Sequence, residues 1–337
     1  MRIYNWGILG PGRIAAKFAS DLQLLPNARL HAVASKSSQR AETFAQQFGI
    51  KKTYCSYDAL AADPDIDIVY IATLHTGHYH DSLLCLNHEK HVLCEKPIAI
   101  NNAQFEKMVS LASQKKVFFM EALWTRFIPS FMKCIELLES GEIGDLRIVC
   151  ADFCINPPYS DQSRLFNLNI GGGSLLDIGI YPVFLALECA GIPHTIKAAA
   201  TIDKNGVDTI CSVIMQHEKG IHSLLYSAST TKNRTEATLC GSKGSLKLNR
   251  CFHTPTTLEL IHDTSKNPTQ FSFEQKGFGY QYEAAEVMRC CDLGLKQSPL
   301  WPWEKSRRLI SILDTIRLQT GIRYPDTVES TDSVYFQ

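Results

Sequence analysis

Over roughly its first 120 residues the chain alternates short apolar runs with stretches of helical period, and few folds accept that alternation. The runs at 3–9, 30–34, 66–72, 91–94 and 117–120 read as buried strands, and the stretches near 13–24, 38–48, 76–87 and 101–115 read as helices. Strands that take turns with helices in this way lie parallel, each joined to the next by a crossover helix. Turn chemistry agrees, because Pro26-Asn27, Asp63-Pro64 and Asn87-His88 fall where the chain must reverse.

Past about residue 122 the texture changes. A helix near 128–139 leads to a strand at 146–153, and a loop rich in Pro, Gly and Asn runs to Gly173. After a helix over 174–190 come alternating strands without helices between them, near 195–203, 208–217, 221–229, 235–240, 244–249, 256–262 and 269–274, closed by helices near 280–296 and 303–320. The expectation is two domains: a doubly wound parallel α/β domain over 1–122, then an α+β domain with a large, mostly antiparallel open sheet over 123–330, a C-terminal helix packing back on the first.

Within the first domain, Gly7-Ile-Leu-Gly10-Pro-Gly12-Arg-Ile-Ala15 places G-x-G-x-x-A between the first strand and the first helix. Gly10 permits the tight turn, Gly12 lets backbone approach a pyrophosphate, and Ala15 lets helix and strand pack closely, while the helix start offers amide donors. Alone the string is weak; inside a βαβ unit it marks a Rossmann dinucleotide site. A site for NAD usually ends the second strand with Asp or Glu on the ribose hydroxyl. Here that end reads Ala34-Ser-Lys-Ser-Ser-Gln-Arg40, with no acid, two candidate hydroxyls and the cations Lys36 and Arg40, which favours NADP over NAD.

Two further motifs carry chemistry. Cys94-Glu95-Lys96-Pro97 ends the strand at 91–94, and the carboxyl ends of parallel strands line the ligand crevice. A structural Glu–Lys ion pair is the bland alternative. Gly171-Gly-Gly-Ser-Leu-Leu-Asp177-Ile-Gly-Ile-Tyr181-Pro182 sets Asp177 and Tyr181 four apart, on one face of a helix that Pro182 either distorts or bounds. A phenol beside an ammonium is a proton-transfer unit, although a helical tyrosine is more often core.

Together with Val92-Leu-Cys-Glu-Lys-Pro97, Met120-Glu-Ala-Leu-Trp-Thr-Arg-Phe127 and Gly241-Ser-Lys-Gly244, these segments make nearly the whole chain resemble the Gfo/Idh/MocA family of NAD(P)-dependent oxidoreductases. The subgroup it looks like holds the dimeric dihydrodiol dehydrogenases and NADP-dependent D-xylose 1-dehydrogenases. The resemblance implies catalytic roles for Lys96, Tyr181 and Asp177. It implies cofactor contacts from Gly10, Gly12, Arg13, Ile14, Ser35, Lys36, Arg40, Thr73, His78, Glu95, Lys96, Trp124 and Arg126. Lys96, Trp124, Phe153, Asp177 and Tyr181 would meet the substrate. Many relatives carry D-x-x-x-H where this chain has Asp177-x-x-x-Tyr181. The implied reaction passes hydride between nicotinamide and the hydroxyl-bearing carbon of a sugar, cyclic polyol or trans-dihydrodiol, with Tyr181 as acid/base assisted by Lys96, in a homo-oligomer, a dimer favoured, that meets through the open sheet. A biliverdin-reductase-like donor of hydride to an unsaturated substrate and a non-catalytic NADP sensor are the alternatives.

Composition narrows the partners. With 34 Lys and Arg against 34 Asp and Glu the chain is formally neutral, and a protein built to grip nucleic acid or an anionic membrane usually carries a basic excess. The apolar region at 175–192 is broken by Asp177, Pro182 and Glu188, against a membrane span. Twelve scattered cysteines without C-x-x-C spacing, and an N-terminus without a signal-peptide pattern, point to reduced thiols and a cytoplasmic setting. Cys290-Cys291 reads as helix core. His75, His78 and His80 lack the companions of a zinc motif, so no metal is expected; His75 and His80 are expected bystanders. Residues 334–337 faintly resemble the remnant of a cleaved purification tag. Substrate choice should lie in the 154–172 loop and the 250–282 region.

Overall fold

The computed structural model describes residues 2–265 and 267–332; the tag-like residues 334–337 lie outside them. The chain divides into two compact units. The first is Met1–Trp124 with Lys276–Arg307 and the stretch from Glu329 onward, and the second is Thr125–Gln275 with Arg308–Val328.

The first unit is built on a six-stranded parallel sheet: β1 (Tyr4–Leu9), β2 (Ala28–Ala34), β3 (Lys52–Tyr54), β4 (Ile68–Ile71), β5 (His91–Glu95) and β6 (Phe119–Ala122). Their order, β3-β2-β1-β4-β5-β6, is that of a dinucleotide-binding sheet. Helices α1 (Arg13–Leu22), α2 (Ser38–Phe48), α3 (Tyr57–Ala61), α4 (His78–Asn87) and α5 (Asn102–Lys115) form the crossovers. Every residue of β4 and of β6 is buried, as strands covered on both faces require. Sequence periodicity passes over β3 and α3, because a three-residue edge strand, Lys52-Thr-Tyr54, and a five-residue helix carry too few apolar positions to show a period. The β6 strand also sits two residues later than expected, since Glu121 occupies a buried strand position.

Glu121 is tolerated there because three donors meet it. Ile98 N–H (3.2 Å), Trp301 Nε1–H (3.2 Å) and Ser306 Oγ–H (2.7 Å) all point at its carboxylate. The last two belong to the returning C-terminal segment, which also carries helix α8 (described below). At the other end of that segment Asp21 of α1, wholly buried, accepts the amides of Phe278, Gly279 and Tyr280 at 2.8–2.9 Å. A carboxylate thus caps the helix start, where the amides lack partners of their own.

In the second unit α6 (Pro129–Glu139) precedes β7 (Leu146–Cys154), and α7 (Ile180–Ala190) precedes β8 (Pro193–Ile202), β9 (Asp208–His217), β10 (His222–Ala228), β11 (Ala237–Gly241), β12 (Gly244–Leu248), β13 (Leu258–His262) and β14 (Thr269–Phe271). They form one sheet in the order β14-β13-β12-β11-β7-β10-β9-β8, antiparallel throughout except for β7 beside β10. Helices α8 (Tyr280–Asp292), α9 (Trp303–Thr320) and α10 (Asp326–Glu329) complete the chain.

Along β9 and β10 burial alternates, so one face packs on α7 while the other leaves Ile210, Ile214, Leu224 and Tyr226 exposed. The stretch Leu168–Ala190 is apolar enough to cross a membrane, yet 94% of its most apolar 18-residue window is buried inside the fold. It is a core helix. The single helix expected over 174–190 is two pieces. Leu175–Gly179 forms a π-turn, and α7 starts at Ile180 and runs straight through Pro182. Pro182 has no N–H to offer the Ile178 carbonyl that an α-helix would aim it at, and the wider turn falls at that point.

Candidate active site

The candidate nucleotide site lies at the carboxyl ends of β1, β2, β4 and β5. Gly10 turns with φ +83°, and a Cβ there would stand 2.9 Å from the Ala72 carbonyl oxygen, so only glycine lets the turn cross the end of β4. Gly12 caps α1 without any side-chain bond, and a Cβ on it would meet nothing nearer than 4.0 Å. The protein's own packing does not ask for glycine at 12. An anion approaching the α1 amides, with Arg13 exposed and Ile14 half-buried in the first turn, does.

At the end of β2, buried Ser35 accepts the Ser37 amide through Oγ (3.2 Å), and Ser37 Oγ caps α2 by accepting Arg40 N–H (3.4 Å). The Arg40 guanidinium folds back and donates to the Pro11 carbonyl at 3.4 Å, which sets a cation against the glycine turn. Lys36 stands exposed beside it. Burial pushes the Asp81 carboxyl up to about 6, against the pull of the Thr73 hydroxyl (2.7 Å) and the Lys36 charge. These residues fit a nicotinamide dinucleotide: glycine turn, uncapped helix start, and cations with hydroxyls at the end of β2.

At the ends of β4 and β5 the imidazole of His78, 1% exposed, bridges the carbonyls of Pro97 (Nδ1, 2.7 Å) and Thr73 (Nε2, 3.2 Å). It braces the loop that follows Lys96. Glu95 is buried and accepts the Tyr70 hydroxyl and the Lys96 amide (3.2 Å), whereas Lys96 is half-buried at the strand end. Behind them Glu283 of α8 is wholly buried, and neither of its oxygens has a hydrogen-bond partner among the described residues. Burial, then the charges of Glu95 and Asp21, push its carboxyl well above the usual range. Trp124 stacks on Tyr280 at 4.3 Å with the rings 3° from parallel.

In the second unit Tyr181, Phe153 and His253 form an aromatic cluster. Ring centroids lie 5.6 Å apart for Phe153–Tyr181, 5.0 Å for Tyr181–His253 and 4.2 Å for Phe153–His253. The His253 carbonyl accepts the Thr125 hydroxyl at 2.8 Å. Asp177, in the π-turn, accepts Arg164 Nη1–H at 2.8 Å. Arg126 forms a buried ion pair with Glu188 of α7 at 2.7 Å, and its Nη1 lies on Met132 Sδ. His253 and Arg164 escape sequence reasoning, because each sits in an irregular segment whose path no periodic pattern fixes.

Outside these residues, His31, Asp63 and Asp65 converge as ligand atoms within 4.8 Å of one another. The Lys52 ammonium bridges both carboxylates at 3.0 and 2.8 Å, which makes the group an ion-pair network.

A doubly wound sheet with this glycine turn, followed by a large open sheet, defines a two-domain nicotinamide-nucleotide oxidoreductase. Residues 4–123 match the model of the oxidoreductase family with an NAD-binding Rossmann fold, and residues 131–247 match the Gfo/Idh/MocA C-terminal domain. The chain is 38% identical over 330 residues to the trans-1,2-dihydrobenzene-1,2-diol dehydrogenase of Mus musculus, covering 95% of this chain and 98% of that one. It is 36% identical over 331 residues, with the same coverage, to the Bos taurus enzyme of that name. Among solved structures, a 3-ketoreductase from Actinomadura kijaniata with NADP and TDP-benzene superposes at a TM-score of 0.84 (25% identity, 95% of this chain, 98% of that one). The aldose-aldose oxidoreductase of Caulobacter crescentus, at a TM-score of 0.87 (22% identity, the same coverage), shares the fold. The chain belongs to the Gfo/Idh/MocA family of oxidoreductases.

Proposed function

We propose that this protein is an NADP-dependent dehydrogenase acting on a hydroxyl-bearing carbon of a trans-dihydrodiol, cyclic polyol or sugar, D-xylose included. What carries the reading is Tyr181 beside Asp177 at the head of α7, in a chain that also keeps Lys96 at the end of β5. Its 34–38% identity to dihydrodiol dehydrogenases over nearly full length supports the diol class. Carboxylate-free β2, with Arg40 folded onto the glycine turn, supports NADP over NAD.

The bound cofactor would supply the hydride acceptor or donor at its nicotinamide ring. In the oxidative direction Tyr181 Oη, as the phenolate, takes the hydroxyl proton as the carbon gives up hydride, and as the phenol returns it in reduction. Lys96 Nζ polarises the reacting oxygen. Asp177, held by Arg164, orients a neighbouring substrate hydroxyl. Phe153 and His253 keep water from one side of the phenol. Trp124 and Phe153 present flat apolar faces suited to a ring.

We also propose a homodimer through the open face of the second sheet, where Ile148, Ile210, Ile214, Leu224 and Tyr226 are each 36–50% exposed.

The test is a panel of trans-dihydrodiols, cyclic polyols and aldoses with NADP and, in parallel, NAD, followed by absorbance of the reduced cofactor. Turnover with NADP on at least one diol or sugar is expected. Silence across the panel from a protein that still binds NADP would move the reading to a sensor.

A further inference from the structure

The Gly171–Gly173 strap, the π-turn and the first residue of β9 form an arrangement that the chemistry above does not use. Asp208 opens β9 and is wholly buried. Its Oδ2 accepts two hydrogen bonds, from Leu175 N–H at 2.7 Å and from Ser174 Oγ–H at 2.9 Å. Leu175 is the first residue of the π-turn, so the carboxylate satisfies an amide that no turn bond can reach. Ser174 Oγ lies 3.0 Å from Ser227 Oγ on β10. That same serine meets the far end of the turn, since a Cβ on Gly179 would stand 2.8 Å from Ser227 Oγ.

The strap is shaped around the carboxylate as well. Gly173 has φ +126°, and a Cβ there would come within 2.1 Å of Asp208 Oδ1, so no other residue lets the chain pass. Tyr324 fixes the residue before, its hydroxyl donating to the Gly172 carbonyl at 2.8 Å. The segment is therefore pinned at its entry by Asp208 and at its exit by Ser227. Asp177 projects from between the pins and Tyr181 from two residues beyond the second.

We propose that Asp208 is a positioning residue that holds Leu175–Gly179 in its π register and so sets the angle between Asp177 and Tyr181. The inference rests on the reading of Tyr181 as the acid/base. A slip from i+5 to i+4 bonding would turn the side chains downstream by about 100° relative to those upstream, enough to carry the phenol off its reacting atom. Keeping a carboxyl in this place is costly. Its Oδ1 has no hydrogen-bond partner among the described residues, and burial pushes the group up to about 7. Because both donors meet Oδ2, an amide of the same shape can do the same work, whereas a methyl cannot.

The experiment compares Asp208→Ala, Asp208→Asn and Ser174→Ala. Hydrogen–deuterium exchange of the peptide containing 175–179 is read without ligand, and steady-state kinetics use trans-1,2-dihydrobenzene-1,2-diol and NADP. Asp208→Ala should speed exchange in that peptide by about tenfold or more and lower kcat by about 10- to 100-fold with KM for NADP unchanged. Asp208→Asn should restore both to within about twofold of the parent. Should the alanine variant not fold, Ser174→Ala, which leaves the carboxylate in place, should still speed exchange, though by less. Wild-type exchange in both Asp208→Ala and Ser174→Ala, or Asp208→Asn as damaging as Asp208→Ala, overturns the proposal. If the parent does not turn over this diol, the functional reading loses its diol, while the exchange data still decide what Asp208 holds.

Discussion

At the scale of single residues, Tyr181 is the most exposed to disproof. Tyr181→Phe keeps the ring against Phe153 and His253 and removes only the hydroxyl. Turnover should fall by about 10²- to 10⁴-fold, with the cofactor dissociation constant, read by fluorescence titration, unchanged. A variant that turns over normally removes Tyr181 from the chemistry. Glu283 makes a prediction about pH. Its carboxyl holds a proton in the folded protein well above the pH at which the unfolded chain releases it, so the folded state binds more protons there. Stability then falls as pH rises from about 4, the ordinary carboxyl value, toward the folded value. Glu283→Gln removes that penalty, so its gain in melting temperature over the parent should be near zero at about pH 4 and grow toward pH 8. A gain independent of pH would mean that Glu283 is ionised in the fold.

Among the elements, α7 carries Tyr181 at one end and Glu188 near the other, and the Arg126–Glu188 pair ties it to the turn before α6. Both side chains are more than nine-tenths buried, and breaking a buried pair by removing one partner costs about 3–5 kcal/mol. Arg126→Met should destabilise by that order in denaturant unfolding, and the double variant Arg126→Met/Glu188→Leu should recover most of it. A double variant no more stable than the single one would show that the charges are worth more than their separate desolvation. The same element shows where sequence reasoning stops. The apolar run around Tyr181 is legible as a buried helix because every turn of it is oily, and Asp177-x-x-x-Tyr181 stands out from that background. The π-turn is not legible, because one extra residue in a uniformly apolar segment leaves no mark on its period. The parallel sheet shows in the sequence because β4 and the middle of β5 are continuous apolar runs and β1 is apolar but for Asn5, and the glycine turn because its spacing is local. Arg164 on Asp177, His253 on Tyr181 and Asp208 on Leu175 are set by how separate segments fold back, and no local pattern encodes them.

For the molecule as a whole, the open face of the second sheet makes the broadest prediction. Ile214 is 50% exposed on β9, which lies between β8 and β10 and is no sheet edge. Ile214→Asp should therefore leave the fold intact, while a charge on the contact surface opposes association. Sedimentation should show the parent as a dimer and the variant as a monomer; a monomeric parent would remove the proposed contact. A separate consequence lies in the path of the chain. The nucleotide unit begins at the N-terminus but is closed by residues near the other end: Asp21 waits for the amides of 278–280, and Glu121 for Trp301 and Ser306. During synthesis both carboxylates emerge from the ribosome more than 150 residues ahead of their donors. The glycine turn is among the first parts made, yet the domain that holds it is finished among the last, so a chain cut short anywhere before 276 leaves Asp21 without the amides of 278–280 and Glu121 with the Ile98 amide but neither of its later donors.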